Sequence, residues 1–188
     1  PLIRREMQDE LLKIQEKLPQ KKILLLEKEN DLALHQSGRN SGVLHSGLYY
    51  HPESDRAKNC VKGRRELVAF AKKHNIPHDV CGKLVVATNQ EELKRLPALL
   101  HRGQKNGLKG LQIINSVEMK RIEPFVNGLS AILVPETGII DYKLVAKKLA
   151  FLIKKINSSS VISMGKEVVD INKITNNKTQ VVTSDQIF

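Results

Sequence analysis

Several residue types are scarce in this sequence, and each scarcity excludes a class of protein. The chain has no tryptophan, and aromatic residues make up only 4% of its 188 residues. Proteins that bind single-stranded nucleic acid usually stack bases on aromatic side chains, so this composition argues against that class. Cys60 and Cys81 are too few for a disulfide framework and lack the spacing of a zinc site. We expect both to be small packing residues, and we predict no metal site.

Long apolar runs are also missing. The longest runs, Ile23–Leu26 and Ala131–Val134, are far shorter than the roughly 20 residues that span a bilayer. The beginning of the sequence shows no signal-peptide pattern, because Arg4 and Arg5 follow the first apolar residues at once. These two absences lead us to expect a cytoplasmic protein.

Acidic residues are scarce relative to basic ones. The chain has 31 Lys and Arg residues against 20 Asp and Glu residues, which gives a net charge of +11. Such an excess can attract nucleic acid, anionic lipid or acidic substrates. The basic residues are scattered in ones and twos on predicted helices, which is typical of solvated helix faces. We predict no nucleic-acid partner, and a non-catalytic basic binding module stays open as an alternative.

Apolar spacing and turn residues predict a mixed chain of helices and strands. A helix over residues 5–18 ends at Pro19, and Ile23–Leu26 reads as a strand covered on both faces, as in a parallel sheet. Further helices are predicted at residues 54–74, 89–105, 116–121 and 142–156, capped in the last two cases by Ser116 and Asp141. Further strands are predicted at residues 83–87, 111–114, 129–134 and 161–182, the last around a turn at Asn176-Asn177. The segment PETGIIDY reads as a turn.

The stretch from residue 23 to residue 50 holds the strongest candidates for a site. Glu27 follows the first predicted strand, where a carboxylate of a dinucleotide fold can accept hydrogen bonds from ribose hydroxyls. An exposed glutamate at a strand end, without function, is the alternative. The loop that follows contains Gly38, Gly42 and Gly47 among small polar residues. Backbone N–H groups in such a loop can approach a phosphate or an aromatic ring system.

These residues also carry a resemblance to a known family. The segment HQSGRNSGVLHSGLYY, with the preceding LLLEKEN, resembles the signature of the L-2-hydroxyglutarate dehydrogenases, which are glycine-oxidase-like (DAO) FAD-dependent oxidoreductases. The resemblance continues through AKNCVKGRREL, IPHDVCGKLVVATNQEEL and VPETGIIDYKLVAKKLA. It implies FAD as cofactor, oxidation of the 2-hydroxy acid L-2-hydroxyglutarate to 2-oxoglutarate, and a quinone or oxygen as electron acceptor. Peripheral contact with the inner membrane is left open.

The resemblance also implies a fold and a domain order. The fold class is α/β (α+β), with an incomplete Rossmann-like FAD-binding layer joined to a mixed or antiparallel sheet of the substrate domain. Residues 1–80 would form the partial FAD-binding domain and residues 81–140 part of the substrate domain. Residues 141–188 would return to the FAD-binding domain.

The implied cofactor-binding residues fall in one segment. Glu27 matches the family's ribose-binding acid. The loop beside the pyrophosphate and flavin is matched by Ser37, Arg39, Asn40, Ser41 and Gly42. The element that faces the isoalloxazine ring is matched by His45, Ser46 and Gly47.

The resemblance further implies catalytic and substrate-binding residues. Oxidation of a hydroxyl-bearing carbon needs a base for the hydroxyl proton, and His45 suits this role because imidazole is neutral near pH 7. Alternatively, His45 bonds the flavin or the backbone. A substrate with two carboxylates needs hydrogen-bond donors, and Arg39, Tyr49 and Tyr50 are candidates. Thr137 and Gly138 would lie in the substrate layer.

One family element is missing from the sequence. The family has a Gly-x-Gly-x-x-Gly turn before its first helix, and its backbone approaches the pyrophosphate. Here Gly38 is the first glycine in the chain. We therefore expect an internal fragment without that turn and without the family's C-terminal part, which neither holds FAD tightly nor turns over substrate alone. An oxidase of another 2-hydroxy acid, of an amino acid or of glycerol 3-phosphate stays an alternative.

Overall fold

The computed structural model describes residues 2–176 and 178–188, and it describes side chains from residue 10 onward within those ranges. The described residues form five helices and ten strands: α1 (Leu2–Lys17), β1 (Leu24–Leu26), β2 (Val43–Leu44), α2 (Asp55–Lys73), β3 (His78–Asp79), β4 (Lys83–Ala87), α3 (Gln90–Lys105), β5 (Gln112–Asn115), α4 (Ser116–Ile122), β6 (Ser130–Val134), β7 (Gly138–Ile140), α5 (Tyr142–Ile156), β8 (Val161–Ser163), β9 (Val168–Thr175) and β10 (Lys178–Thr183). The fold class is mixed α and β, with parallel and antiparallel sheets, as predicted.

The chain divides into two compact units. Unit 1 consists of Pro1–Asn40 together with Asp141–Phe188, and unit 2 consists of Ser41–Ile140. The predicted domain limits at residues 80 and 140 were drawn by expected function, and their assignment to cofactor and substrate stays a prediction. The division into two compact units places the first limit after Asn40 and the second after Ile140.

Unit 1 is built around a parallel strand pair. Leu24 of β1 lies opposite Val161 of β8, and α1 packs against α5. The buried side chain of Gln15 donates to the carbonyl oxygen of Lys21 at 2.8 Å and accepts from the Ser160 hydroxyl at 2.9 Å. That hydroxyl accepts the N–H of Ile23 at 3.1 Å. Buried polar groups thus satisfy one another where α1, β1 and β8 meet.

Three further features of unit 1 can be compared with the sequence predictions. Strands β9 and β10 form an antiparallel hairpin, as the sequence predicts, although Asn177 of the predicted turn lies outside the described residues. Asp141 is confirmed as the N-cap of α5, because its carboxylate accepts the N–H of Leu144 at 3.0 Å. The prediction of a first strand covered on both faces is wrong, since Leu24 is 42% exposed. Among the described residues, only β8 pairs with β1, so part of the strand meets solvent.

Unit 2 contains two antiparallel sheets of three strands, in the orders β2-β7-β3 and β4-β6-β5. The central strand β6 is the most deeply buried element, with Ala131, Ile132 and Val134 fully inaccessible to solvent. Leu48, Val61 and Leu96 pack with it into one apolar core. Leu48 belongs to the segment that follows β2, so this core supports the part of the chain that contains His45, Ser46, Gly47, Tyr49 and Tyr50.

A partly buried ion pair links separate segments of unit 2. The guanidinium of Arg64 on α2 donates to the carboxylate of Glu136, in the turn between β6 and β7. The other oxygen of Glu136 accepts the N–H of Lys109 at 3.1 Å. The pair and the Lys109 contact join three separate segments, and removing one partner would leave a partly buried charge uncompensated.

The structure corrects two local predictions in unit 2. The segment PETGIIDY is not only a turn, because Gly138–Ile140 forms the central strand β7 of a sheet whose short outer strands β2 and β3 were not predicted. The predicted cap of α4, Ser116, is one residue off. Asn115 is the N-cap, and it forms a capping box with Glu118, whose carboxylate accepts the Asn115 N–H at 2.9 Å.

Candidate functional site

Glu27 lies directly after β1, at the carboxyl end of the parallel pair in unit 1. Its N–H donates to the carbonyl oxygen of Ser163 at 2.9 Å, and its carbonyl oxygen accepts the N–H of Lys166 at 2.8 Å. The half-buried carboxylate accepts the N–H of Glu29 through Oε1 at 3.1 Å. Within the described residues, no basic side chain pairs with it. Its second oxygen can therefore accept a hydroxyl of a ligand.

The loop after Glu27 closes on itself. His35 and Glu29 pair at 2.6 Å, and the side-chain amide of Asn40 donates to the carbonyl oxygens of Gln36 and Ser37 at 2.8 and 2.9 Å. A Cβ at Gly38 would lie 2.0 Å from the carbonyl oxygen of Ala33, so only glycine fits this turn. The loop is thus ordered by its own polar groups.

The predicted residues of this loop differ in their hydrogen bonds and in their exposure to solvent. The amide of Asn40 stabilises the turn, whereas Arg39 is exposed and Ser37 is half-buried. Asp31 binds Lys147 of α5 at 2.8 Å and Lys143 at 3.5 Å. The hydrogen bond from Lys147 lowers the pKa of the Asp31 carboxyl below its ordinary value. This contact ties the loop to the helix of its own unit.

In unit 2, the segment from Ser41 to Tyr50 carries most of the predicted residues. Gly42 has a φ of 69° and accepts the N–H of Ile140 at 2.8 Å, and β2 begins immediately after it. Gly47 has a φ of 94°, and a Cβ there would lie 3.3 Å from Cγ2 of Val61. Both positions therefore favour glycine for conformational reasons. These glycines let the backbone turn from β2 toward α2.

A hydrogen bond from α2 and a positive charge on β4 both act on His45. Cys60 of α2 donates through Sγ to the carbonyl oxygen of His45 at 3.3 Å. The ammonium group of Lys83, at the start of β4, lies 4.5 Å from the ring centroid of Tyr49. We call these four residues, His45, Tyr49, Cys60 and Lys83, the His45 cluster. Sequence reasoning identified His45 and Tyr49 as site residues but assigned only a packing role to Cys60 and only a strand position to Lys83.

The pKa shifts in the His45 cluster follow from burial and charge. Partial burial lowers the pKa of His45, and the positive charge of Lys83 lowers it further. Burial also lowers the pKa of Lys83, while a negative Cys60 thiolate would act against that shift. Burial raises the pKa of the Tyr49 phenol. At pH 7 the imidazole is therefore neutral and can accept a proton.

Thr137 and Gly138 are buried at the start of β7. A Cβ at Gly138 would lie 2.2 Å from the carbonyl oxygen of Asp79, so glycine allows β7 to approach the chain of β3. The hydroxyls of Thr137 and Ser46 are buried and lack hydrogen-bond partners among the described residues. The structure gives Gly138 a packing role, and contact of either residue with substrate stays a prediction.

The predicted site residues divide between the two units. Unit 1 contains Glu27, Ser37, Arg39 and Asn40. Unit 2 contains Ser41, Gly42, His45, Ser46, Gly47, Tyr49, Tyr50, Thr137 and Gly138. Over the described ranges, no three His, Cys, Asp or Glu side chains group in a way that could hold a metal ion. No helix in those same ranges is long and apolar enough to cross a membrane.

Comparison with known proteins gives consistent matches. The family model described as FAD dependent oxidoreductase (DAO) matches residues 12–187. L-2-hydroxyglutarate dehydrogenase of Indibacter alkaliphilus is 55% identical over 139 residues, which are 74% of this chain and 35% of that protein. The mitochondrial L-2-hydroxyglutarate dehydrogenase of Homo sapiens is 50% identical over 132 residues, which are 70% of this chain and 28% of that protein. The chain thus spans about a third of the length of such relatives.

Solved structures show a similar fold. Dithionite-reduced L-α-glycerophosphate oxidase from Mycoplasma pneumoniae, with FAD bound, has a TM-score of 0.78 and 27% identity over 90% of this chain and 46% of that chain. Glycine oxidase from Geobacillus kaustophilus has a TM-score of 0.77 and 19% identity over 89% of this chain and 46% of that chain. The second match concerns the fold alone.

Proposed function

Since this chain belongs to the FAD-dependent oxidoreductase family, we propose that it contributes cofactor-binding and catalytic residues to an enzyme that oxidises L-2-hydroxyglutarate to 2-oxoglutarate. The observation that supports L-2-hydroxyglutarate as the substrate is the 55% identity with a protein named L-2-hydroxyglutarate dehydrogenase. As electron acceptor we propose a quinone or oxygen. We also propose a cytoplasmic location, with peripheral contact at the inner membrane.

Features in each unit fit the proposed cofactor. In unit 1, the Glu27 carboxylate ends a parallel strand and keeps one oxygen without a basic partner, which suits a ribose hydroxyl. In unit 2, the buried hydroxyl of Ser46 lacks a hydrogen-bond partner among the described residues, and Ser46 directly precedes Gly47, whose backbone conformation favours glycine. A buried polar atom without a partner is costly, and a ligand atom would satisfy it. Glu27 would hold the ribose, and Ser46 with Gly47 would lie against the flavin.

The proposed oxidation needs one acceptor for a hydride and another for a proton. Oxidation of the C2 alcohol removes a hydride from the carbon and a proton from the hydroxyl, and the C–O bond becomes a carbonyl. FAD, when bound, supplies the acceptor of the hydride and its two electrons. We assign the proton to the imidazole of His45, which is neutral at pH 7 because burial and Lys83 lower its pKa. Ser37, Arg39, Asn40, Ser41 and Gly42 are proposed to line the cofactor, and Tyr50, Thr137 and Gly138 are proposed on the substrate side.

The test is dye reduction by the whole enzyme to which this chain contributes its residues, supplied with FAD under anaerobic conditions. We expect L-2-hydroxyglutarate to reduce the dye, and its D-enantiomer and glycerol 3-phosphate not to do so. Reduction by glycerol 3-phosphate alone would assign the activity of the M. pneumoniae oxidase instead. Salt-dependent retention on heparin, with neither flavin uptake nor dye reduction, would identify a basic binding module and overturn the proposal.

A further inference from the structure

Lys83 is a cation in an unusual position within unit 2. It begins β4, whose other residues are the apolar Leu84, Val85, Val86 and Ala87. Its backbone lies opposite Val134 of the buried strand β6. The side chain is half-buried, and none of the ion pairs among the described residues includes it. A lysine at such a place normally has an anionic partner, because removing an ammonium group from water is costly.

The neighbours of Lys83 supply little negative charge. The Tyr49 ring lies under the ammonium group at 4.5 Å from its centroid, which is a cation–π contact. His45 and Cys60, the other members of the His45 cluster, bring an imidazole and a thiol. Among the residues that the structure describes, no carboxylate forms an ion pair with Lys83. The ring holds the ammonium group in place while its hydrogen-bonding capacity stays available.

We propose that Lys83 is the carboxylate-binding residue of the substrate site, with the Tyr49 ring positioning its ammonium group beside His45. An ammonium group is a compact point charge with three donors, and it binds a carboxylate through charge-assisted hydrogen bonds. A dicarboxylate with a hydroxyl next to one carboxylate would then present that hydroxyl near the imidazole. The identity of the substrate rests on the proposed function, whereas carboxylate binding at Lys83 rests on the geometry of unit 2.

Binding of glutarate tests the proposal without any turnover. Glutarate has the two carboxylates but lacks the 2-hydroxyl, so the proposed reaction cannot consume it. The chain, labelled with ¹⁵N, is titrated with glutarate at constant ionic strength and followed by NMR. We expect shifts of the Lys83 side-chain resonance and of the amides of residues 45–50. The neutral diamide of glutarate, at the same concentrations, should leave these resonances unchanged.

Variants of Lys83 then test whether its ammonium group binds glutarate. Lys83→Met keeps the apolar stem but removes the ammonium group, and we expect it to weaken glutarate binding about tenfold or more. Lys83→Arg should retain part of the affinity. The matched control is Lys94→Met, since Lys94 is 72% exposed and pairs only with Glu91 among the described residues. Its glutarate affinity should equal that of the wild type. If Lys83→Met does not fold, the wild-type Lys83 resonance and the Lys83→Arg affinity still decide.

The outcomes separate this inference from the proposed function. Unchanged glutarate binding in Lys83→Met, or no shift of the Lys83 resonance in the wild type, would overturn the inference even if L-2-hydroxyglutarate reduces the dye. Glutarate binding that depends on Lys83, without oxidation of L-2-hydroxyglutarate, would leave the inference standing while the proposed function fails. Tighter Lys83-dependent binding of inorganic phosphate than of glutarate would also overturn it, in favour of a phosphate site.

Discussion

The side-chain amide of Asn106 donates a hydrogen bond to the carbonyl oxygen of Gly47 at 2.9 Å. The same amide reaches the carbonyl oxygen of Tyr50, also at 2.9 Å. Asn106 is the C-cap of α3, so the end of this helix holds the segment that contains Tyr49. Arg102 of α3 adds a weaker contact to the carbonyl oxygen of Tyr49 at 3.4 Å. The position of Tyr49, one of the four residues of the His45 cluster, therefore depends on α3.

Replacing Asn106 with alanine should release this segment. The variant loses two hydrogen bonds and leaves the carbonyl oxygen of Tyr50 without its donor, so we expect a loss of about 1–3 kcal/mol in the free energy of unfolding. Urea denaturation measures the loss, and hydrogen exchange should show faster exchange at residues 48–51. Gln104→Ala, at an exposed position on the same helix, is the control and should change the free energy by less than about 0.5 kcal/mol. Equal behaviour of the two variants would contradict the role of Asn106.

Two glycine-to-alanine substitutions should have opposite effects. At Gly138 the new methyl group would lie 2.2 Å from the carbonyl oxygen of Asp79, so β7 and β3 must separate. We expect a loss of at least about 1–3 kcal/mol in stability, measured by denaturant unfolding. At Gly63, inside α2, nothing lies within 4 Å of the new methyl group. Gly63→Ala should raise stability by about 0.5–1 kcal/mol, because alanine favours the helix. A destabilising Gly63→Ala would show that α2 is packed differently.

The charge of Lys83 should be visible in the titration of His45. Burial first and Lys83 second lower the pKa of His45, so Lys83→Met should raise it toward, but not to, the ordinary value. NMR titration of the imidazole measures both values, with Lys94→Met as the control that leaves the pKa unchanged. A His45 pKa that does not respond to Lys83→Met would place the two groups too far apart for the proposed site.

The lowered pKa of His45 also makes the free energy of unfolding depend on pH. Because the pKa of His45 is lower in the folded chain than in the unfolded one, the unfolded chain binds more protons as pH falls below about 6.5. The contribution of His45 to the free energy of unfolding should therefore fall from pH 6.5 down to the folded pKa and then level off. Comparison of His45→Gln with the wild type in denaturant at several pH values isolates this contribution. The difference between them should be constant above neutral pH.

Loss of the Glu27 carboxylate should weaken FAD binding with little change in the fold. Among the described residues, its Oε1 atom accepts only the nearby N–H of Glu29. Glu27→Ala should therefore lower FAD affinity about tenfold, as expected for one or two hydrogen bonds to ribose hydroxyls. Flavin fluorescence quenching in the expressed protein that carries this sequence measures the affinity. Glu16→Ala, at an exposed position on α1, serves as the matched charge control. If both variants bind FAD alike, Glu27 is a strand-end glutamate without a role in FAD binding.

The longer elements could be predicted because their residues have a clear period. The helices from α2 to α5 and the strands β4 to β6 begin and end within about two residues of the prediction. Strands β2, β3 and β7 have two or three residues each, too few to show an alternating pattern. The cap of α4 was misplaced because Asn115 and Ser116 are both good caps, and only Glu118 three residues after Asn115 distinguishes them.

The candidate site could be predicted only where one segment contains it. Glu27 and the residues from Ser37 to Tyr50 were found because they are close together in sequence. Lys83 was missed because a lysine at the start of a strand resembles a solvated strand end. Its significance comes from Tyr49, whose ring it contacts only after β4 has paired with β6. Asn106 was missed for the same reason, since its partners lie on a distant segment.

The discontinuity of unit 1 has a consequence for the order of folding. The hydrogen bond between the Ile23 N–H and the Ser160 hydroxyl joins residues 137 positions apart, and β1 pairs with β8 over the same interval. During synthesis, α1 and β1 leave the ribosome long before their partners exist, whereas Ser41–Ile140 is continuous and can collapse as soon as it is complete. Unit 1 can form only after its two distant segments have met, and closing so long a loop is slow. The early segments of unit 1 therefore wait longer for their partners during translation than any segment of unit 2.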